Sequence, residues 1–251
     1  MFTRRVSERR AEYPRRMVRQ VVVALSLALA ACSASSTPSA RAALERGATI
    51  TVLRTVSEPP PGGDGPTIVE LEITRGDARR AVRAIGAEPF GDAALVLFED
   101  RSLSRLSVGP DGAEAIDTGV DFVPVLAPDA SAFAYARTGD GLAHALVVQG
   151  AQGSLVLAEG LASIGALRFV DPATLVFVGA RSGGVAGLWI ARVAGDARAS
   201  CLTNCSLRTG EPWGDAFVPP PVELDTLEID GDALRFVDAR GEPRVIRGIA
   251  P

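Results

Sequence analysis

The stretch Asp129-Ala130-Ser131-Ala132-Phe133-Ala134-Tyr135 places an aspartate four residues before one large apolar side chain and six before an aromatic one. The same spacing returns as Asp92/Val96/Phe98, Asp171/Leu175/Phe177 and Asp230/Leu234/Phe236, at intervals of 37, 42 and 59 residues. Aspartate closes tight turns through its own backbone, and residues two apart along a strand share a face. Each copy therefore reads as a turn followed by a strand with one buried face. On this register Phe177 points into the core, and Val176, on the other face, is expected to tolerate polar replacement better.

Working outward, each copy is followed by a second apolar run: Leu103 to Val108, Ala145 to Val148, Leu188 to Val193 and Arg244 to Ile249. After the first three comes a further short segment, around Ala113 to Asp117, Ser154 to Ala158 and Arg198 to Leu202. Glycine, proline and aspartate break these runs, and beyond about Ala48 no stretch has a helical period with caps at both ends. Each period thus reads as a three- or four-stranded antiparallel sheet. An earlier unit, with strands expected near Thr49 to Thr55, Thr67 to Thr74 and Arg79 to Ile85, lacks the motif. The last unit has no room for an outer strand before Pro251. Thr49 to Thr55 could supply it and close a ring, which would remove an exposed edge; otherwise the array is open.

The segment Leu126-Ala127-Pro128-Asp129-Ala130-Ser131-Ala132-Phe133 resembles the "SPDG" strand of the propeller repeats of TolB and its relatives, and Ser200-Cys201-Leu202-Thr203-Asn204 resembles the "LT" close of such blades. The resemblance covers roughly residues 76 to 251, and the glycine that usually follows the aspartate stands only at Gly231. It implies an all-β, β-propeller-like array of about four to five small antiparallel blades over 48–251. A β-sandwich built from hairpins with shared turn chemistry is the alternative fold.

Ahead of the repeats, Val21 to Ala31 is an apolar run of 11 residues preceded by arginines. It is too short to span a bilayer and has the flanks of a secretory signal. Its end, Leu29-Ala30-Ala31-Cys32, resembles the lipobox of bacterial lipoproteins. That resemblance implies cleavage before Cys32 and acylation there, a durable anchor because several acyl chains act together. Residues 1–31 then form the signal, whether translation starts at Met1 or Met17, and 32–47 a flexible tether rich in small polar residues. Ser33, in place of an aspartate, favours the outer membrane over retention at the inner one.

Removing the signal leaves 19 of the 26 positive and 28 of the 30 negative residues, a net of −9. So acidic a body, without a basic run, excludes nucleic acid as a main partner. Catalytic equipment is sparse, and no cofactor is implied. His144 is the one histidine and reads as a strand residue beside Ala143 and Ala145. Gly179-Ala180-Arg181-Ser182-Gly183 has the wrong order for a nucleophile elbow, and Ser182-Gly183-Gly184 reads as a hairpin turn. Glu228, Asp230 and Asp232 alternate along one segment, and Glu99-Asp100 reads as a loop between strands. The first group lacks the remaining ligands of a calcium loop, and the second is not read as a general acid and base. Trp189, within an apolar run, reads as core, whereas Trp213, among turn formers, is the preferred contact residue. With Cys32 lipidated, Cys201 and Cys205 are expected to form a disulfide in an oxidising compartment. The sum of these readings is a lipid-anchored, non-enzymatic binding or scaffold module that meets another envelope protein. A carboxylate-dependent propeller hydrolase or lyase, and a carbohydrate- or metal-binding module, are the alternatives.

Overall fold

A computed structural model of the chain describes residues 47–61, 63, 65–109, 112–193, 198–221 and 224–249. The expected export signal, Cys32 and the expected tether up to residue 46 lie outside them. The described residues form strands without an α-helix, joined by three short 3-10 turns.

The first sheet comprises β1 (Thr49–Ser57), β2 (Ile68–Arg75) and β3 (Ala78–Ala84), in that order. Only Ile85 separates β3 from β4 (Gly86–Phe90), the first strand of a four-stranded sheet completed by β5 (Ala93–Leu97), β6 (Leu103–Ser107) and β7 (Ala113–Asp117). A seven-stranded sheet follows: β8 (Val125–Leu126), β9 (Ala132–Thr138), β10 (His144–Gly150), β11 (Gly153–Asp171), β12 (Thr174–Arg181), β13 (Gly187–Arg192) and β14 (Ala199–Cys201). The last sheet has β15 (Glu228–Asp230), β16 (Ala233–Val237) and β17 (Pro243–Arg247). All pairings are antiparallel between sequence neighbours.

The seven-stranded sheet is two blades that share β11. The N-terminal half of this 19-residue strand pairs with β10 and the C-terminal half with β12, and Leu161, opposite both His144 and Arg181, marks the handover. Counted this way the array has five blades, and their middle strands are β2, β5, β9, β12 and β16.

The core sits in the seams between successive blades. Leu71 and Ile73 of the first blade pack with Ala94 and Val96 of the second. Leu95 and Leu97, on the other face of β5, pack with Phe133 and Tyr135 of the third. Ala134 and Ala136 pack with Leu175 and Phe177 of the fourth, and Val176 with Leu234 and Phe236 of the fifth. In all four copies the repeat motif therefore faces the preceding blade. Period-two alternation then sends the intervening residues to the following blade. Five stacked layers are not a two-sheet sandwich.

Two expectations are corrected here. Val176 is fully buried, as is Phe177; a strand in the middle of a stack has no solvent face, so the tolerance expected at Val176 does not hold. Nor does Thr49 to Thr55 close a ring among the described residues, where β1 pairs with β2 and β17 with β16. Among the described residues the terminal blades thus have one face each without a neighbouring blade. Val237 and Val245 are exposed at one end, Val52 and Leu53 at the other.

Turn chemistry follows the motif in part. Asp129 and Asp171 each accept the backbone N–H two residues on, at 3.0 and 2.8 Å. Asp92 instead takes Arg75 and Arg105, and Asp230 takes Arg235.

Candidate functional site

The seam between the second and third blades opens into a cleft at each end of β9. At the end where Ser131 begins that strand, a cleft of about 340 Å³ lies between Phe90, Arg105, Glu114 and Ile116 on one side and Ser131, Phe133 and Gln149 on the other. Phe90 meets Phe133 edge to face at 5.2 Å, and the Arg105 guanidinium lies 6.0 Å over the Phe90 ring. Asp92 holds that guanidinium at 3.2 Å. The Nε of Arg105 is buried and has no hydrogen-bond partner among the described residues. Aromatic walls with a few convergent polar groups are the usual make-up of a ligand or anchor pocket.

At the other end of β9 a cleft of about 520 Å³ is lined by Asp117, Arg137, Thr138, His144 and Glu159 among others. Two carboxylates organise it. Asp117, at the end of β7, accepts the Tyr135 hydroxyl at 2.9 Å and the Arg137 Nη1 at 3.2 Å. Burial first, and then the bond to Asp117, push the Tyr135 phenol well above the ordinary tyrosine range. Asp121, on the connection between β7 and β8, accepts Thr138 Oγ1 at 2.6 Å and lies 2.7 Å from His144 Nδ1. The His144 and Asp121 side chains are each 22% exposed. A carboxylate only accepts, so Nδ1 donates to Asp121, and in the neutral ring this leaves Nε2 as the acceptor. Nε2 has no hydrogen bond among the described residues, and His144, not Asp121, lines the cleft.

His144 is the first residue of β10, hence a strand residue as its sequence context indicates, but it is also half of an aspartate-histidine pair that this context conceals. Its partner lies 23 residues earlier, on the preceding inter-blade connection. The available signal was the pair Asp117 and Asp121 around the Gly119 turn.

Other expected residues fall elsewhere. Trp189 is buried, and its Nε1 donates to the Gly179 carbonyl at 3.0 Å. Trp213 is half-buried; its Nε1 donates to the Arg208 carbonyl at 2.6 Å and its ring lies 4.9 Å from Phe217. Much of its contact capacity is thus spent within its own loop. Cys201 and Cys205 are bonded to one another at the end of β14. Glu228 and Asp230 are exposed on β15, and Asp232 follows in the turn. Asp100 caps the turn between β5 and β6 through Ser102, at 2.9 Å. Among the described residues no three His, Cys, Asp or Glu side chains are grouped so as to hold a metal ion.

TolB is among the solved structures that the chain resembles. The structure of TolB from Acinetobacter baumannii is 14% identical over 72% of this chain and 48% of that one, with a TM-score of 0.41. The N-terminal domain of Nup159 is 10% identical over 72% and 58%, TM-score 0.35. A structural genomics protein from Bacteroides thetaiotaomicron is 10% identical over 78% and 60%, TM-score 0.39. The chain spans about half to three fifths of the length of these structures, and the blade assignment above stands on strand order and seam packing alone. No protein-family model matches the sequence, and no curated protein matches it.

Proposed function

We propose that this chain is a lipid-anchored, extracytoplasmic binding or scaffold module of the bacterial cell envelope, tethered at Cys32 to the outer membrane and engaging another envelope protein. The observation that carries the binding role is the aromatic-walled cleft of about 340 Å³ between the second and third blades. Its size and lining suit an apolar side chain of a partner, the kind of anchor that dominates protein interfaces. The sequence Leu29-Ala30-Ala31-Cys32 and the short apolar run before it support the anchor.

The two halves of this reading are tested separately. Labelled palmitate should enter the wild type and not Cys32→Ala, and only the wild type should partition into detergent; equal, soluble behaviour of both refutes the anchor. For binding, the full chain is cross-linked in cells and purified from membranes. Ala151→Trp, at an exposed turn position on the rim of this cleft, should fill the cleft and abolish recovery of the partner. Unchanged recovery assigns the contact to another surface.

A further inference from the structure

We propose that the second cleft, at the opposite end of β9, receives a positively charged side chain, the ammonium or guanidinium of a lysine or arginine on a partner polypeptide. This deepens the binding-module reading and rests on it, with the partner's chemistry supplied by the cleft's unspent groups.

Asp121 holds the His144 ring by Nδ1, His144 lines the cleft, and its Nε2, an acceptor in the neutral ring, has no hydrogen bond among the described residues. Glu159, exposed on the same wall, has no ion pair or hydrogen bond among the described residues. Arg137 has its Nη1 committed to Asp117, and Arg101 donates Nη1 to the backbone carbonyl of Asp121. Among the described lining residues two carboxylates, Asp117 and Glu159, thus face one guanidinium, Arg137. The open positions are a carboxylate and an imidazole nitrogen, both acceptors when the ring is neutral. A group that fills them must bring donors, and the residual negative charge favours donors on a cation, since charge-assisted hydrogen bonds are roughly twice as strong as neutral ones. The remaining donors of Arg137 can take carbonyl oxygens of the incoming chain. At longer range the body's net charge of −9 draws a basic segment towards this surface.

The discriminating experiment is calorimetric titration of the full chain in detergent with acetyl-Gly-Lys-Lys-Lys-Gly-amide, against the same peptide with its lysines acetylated. The cationic peptide should bind and the acetylated one should not. His144→Gln leaves every carboxylate in place, so general attraction persists, yet affinity should fall about tenfold, the worth of one hydrogen bond to a charged group. Glu159→Gln should weaken binding, whereas Glu228→Gln, which removes the same charge on β15, should not. Glu159 is exposed, so this comparison survives even if His144→Gln fails to fold. No binding by the cationic peptide, equal binding of the acetylated peptide, an unaltered affinity in a folded His144→Gln, or equal losses from Glu159→Gln and Glu228→Gln would each overturn the proposal. The titration does not depend on the lipid, so failure of the Cys32 test and failure here are distinguishable.

Discussion

The carboxylate of Asp238 is buried in the turn between β16 and β17, where it accepts the backbone N–H groups of Arg240 and Glu242 and the Arg244 Nε at 2.8 Å. Burial works to raise its pKa, but the N–H of Glu242, the Arg244 guanidinium and the N–H of Arg240 together outweigh it and hold the carboxyl below the ordinary aspartate range. A group with a depressed folded pKa contributes stability above its unfolded pKa, about 3.9, and loses it as pH falls through the folded value. Asp238→Asn should therefore be less stable than wild type at neutral pH, with the gap closing as urea midpoints are followed below about pH 4. A gap that persists to the acid limit contradicts this linkage. Phe177 and Val176 make the second residue-scale case. Phe177→Ala should cost roughly 3 to 5 kcal/mol as a large buried deletion. Val176→Thr should cost roughly 1 to 3 kcal/mol, because it buries a hydroxyl in the next seam. Free tolerance of threonine at 176 in thermal melts would contradict the two-sided burial. The motif made Phe177 legible because turn and strand are local. It hid Val176, Ala134 and Ala136, because small apolar residues look neutral until a second blade covers them.

At the scale of elements, the 59-residue interval between Asp171 and Asp230 is explained by the loop from 202 to 221, which folds back over the turn between β12 and β13. Backbone bonds from Val185 to Leu207 and from Thr209 to Gly183 dock it. Asn204 donates to the carbonyls of Ala186 and Val218 and accepts the Val218 N–H, while Thr203 Oγ1 accepts the Leu188 N–H at 2.9 Å. The disulfide from Cys201 to Cys205 brackets these two buried polar residues. Closing a loop of about five residues, it contributes roughly 2 kcal/mol by chain entropy. The docking leaves no room at Gly187, where a Cβ would stand 2.1 Å from the Thr203 carbonyl oxygen, whereas at Gly183, with φ of +65°, nothing lies within 4 Å. Gly187→Ala should cost about 2 kcal/mol or more through overpacking against backbone. Gly183→Ala should cost only the strain of the left-handed region, about 1 to 2 kcal/mol. Equal urea midpoints for the two variants would contradict the close docking. The cysteine pair was readable from compartment and spacing. The loop's path was not, because it depends on Asn204 reaching 14 and 18 residues along the chain in opposite directions.

Across the whole molecule, each blade is stabilised by its neighbours, so position in the stack governs local stability. The middle strands of the second, third and fourth blades bury side chains into two seams, while β16 buries Leu234 and Phe236 into one and leaves Arg235 and Val237 exposed. At the other end β1 is exposed along nearly its whole length and, among the described strands, is hydrogen-bonded to β2. In an array whose units contact only adjacent units, stability is approximately a sum of unit terms and nearest-neighbour seams. An end blade has one seam to lose and an interior blade two. The sequence motif marked four blades equally and so carried no hint of this gradient, which arises only from which faces find a cover. Amide hydrogen exchange on the full chain should therefore rank β12 and β9 as the slowest strands, near the global limit, and β1 and β17 as the fastest, opening without the rest. Since the basic-group cleft is built from the third blade and the end of the second, it sits on slowly exchanging strands, and its geometry should persist while the ends open. Protection of β17 amides as long-lived as those of β12 would mean that the fifth blade's open face is covered in solution, and the one-seam account of the ends would then be wrong.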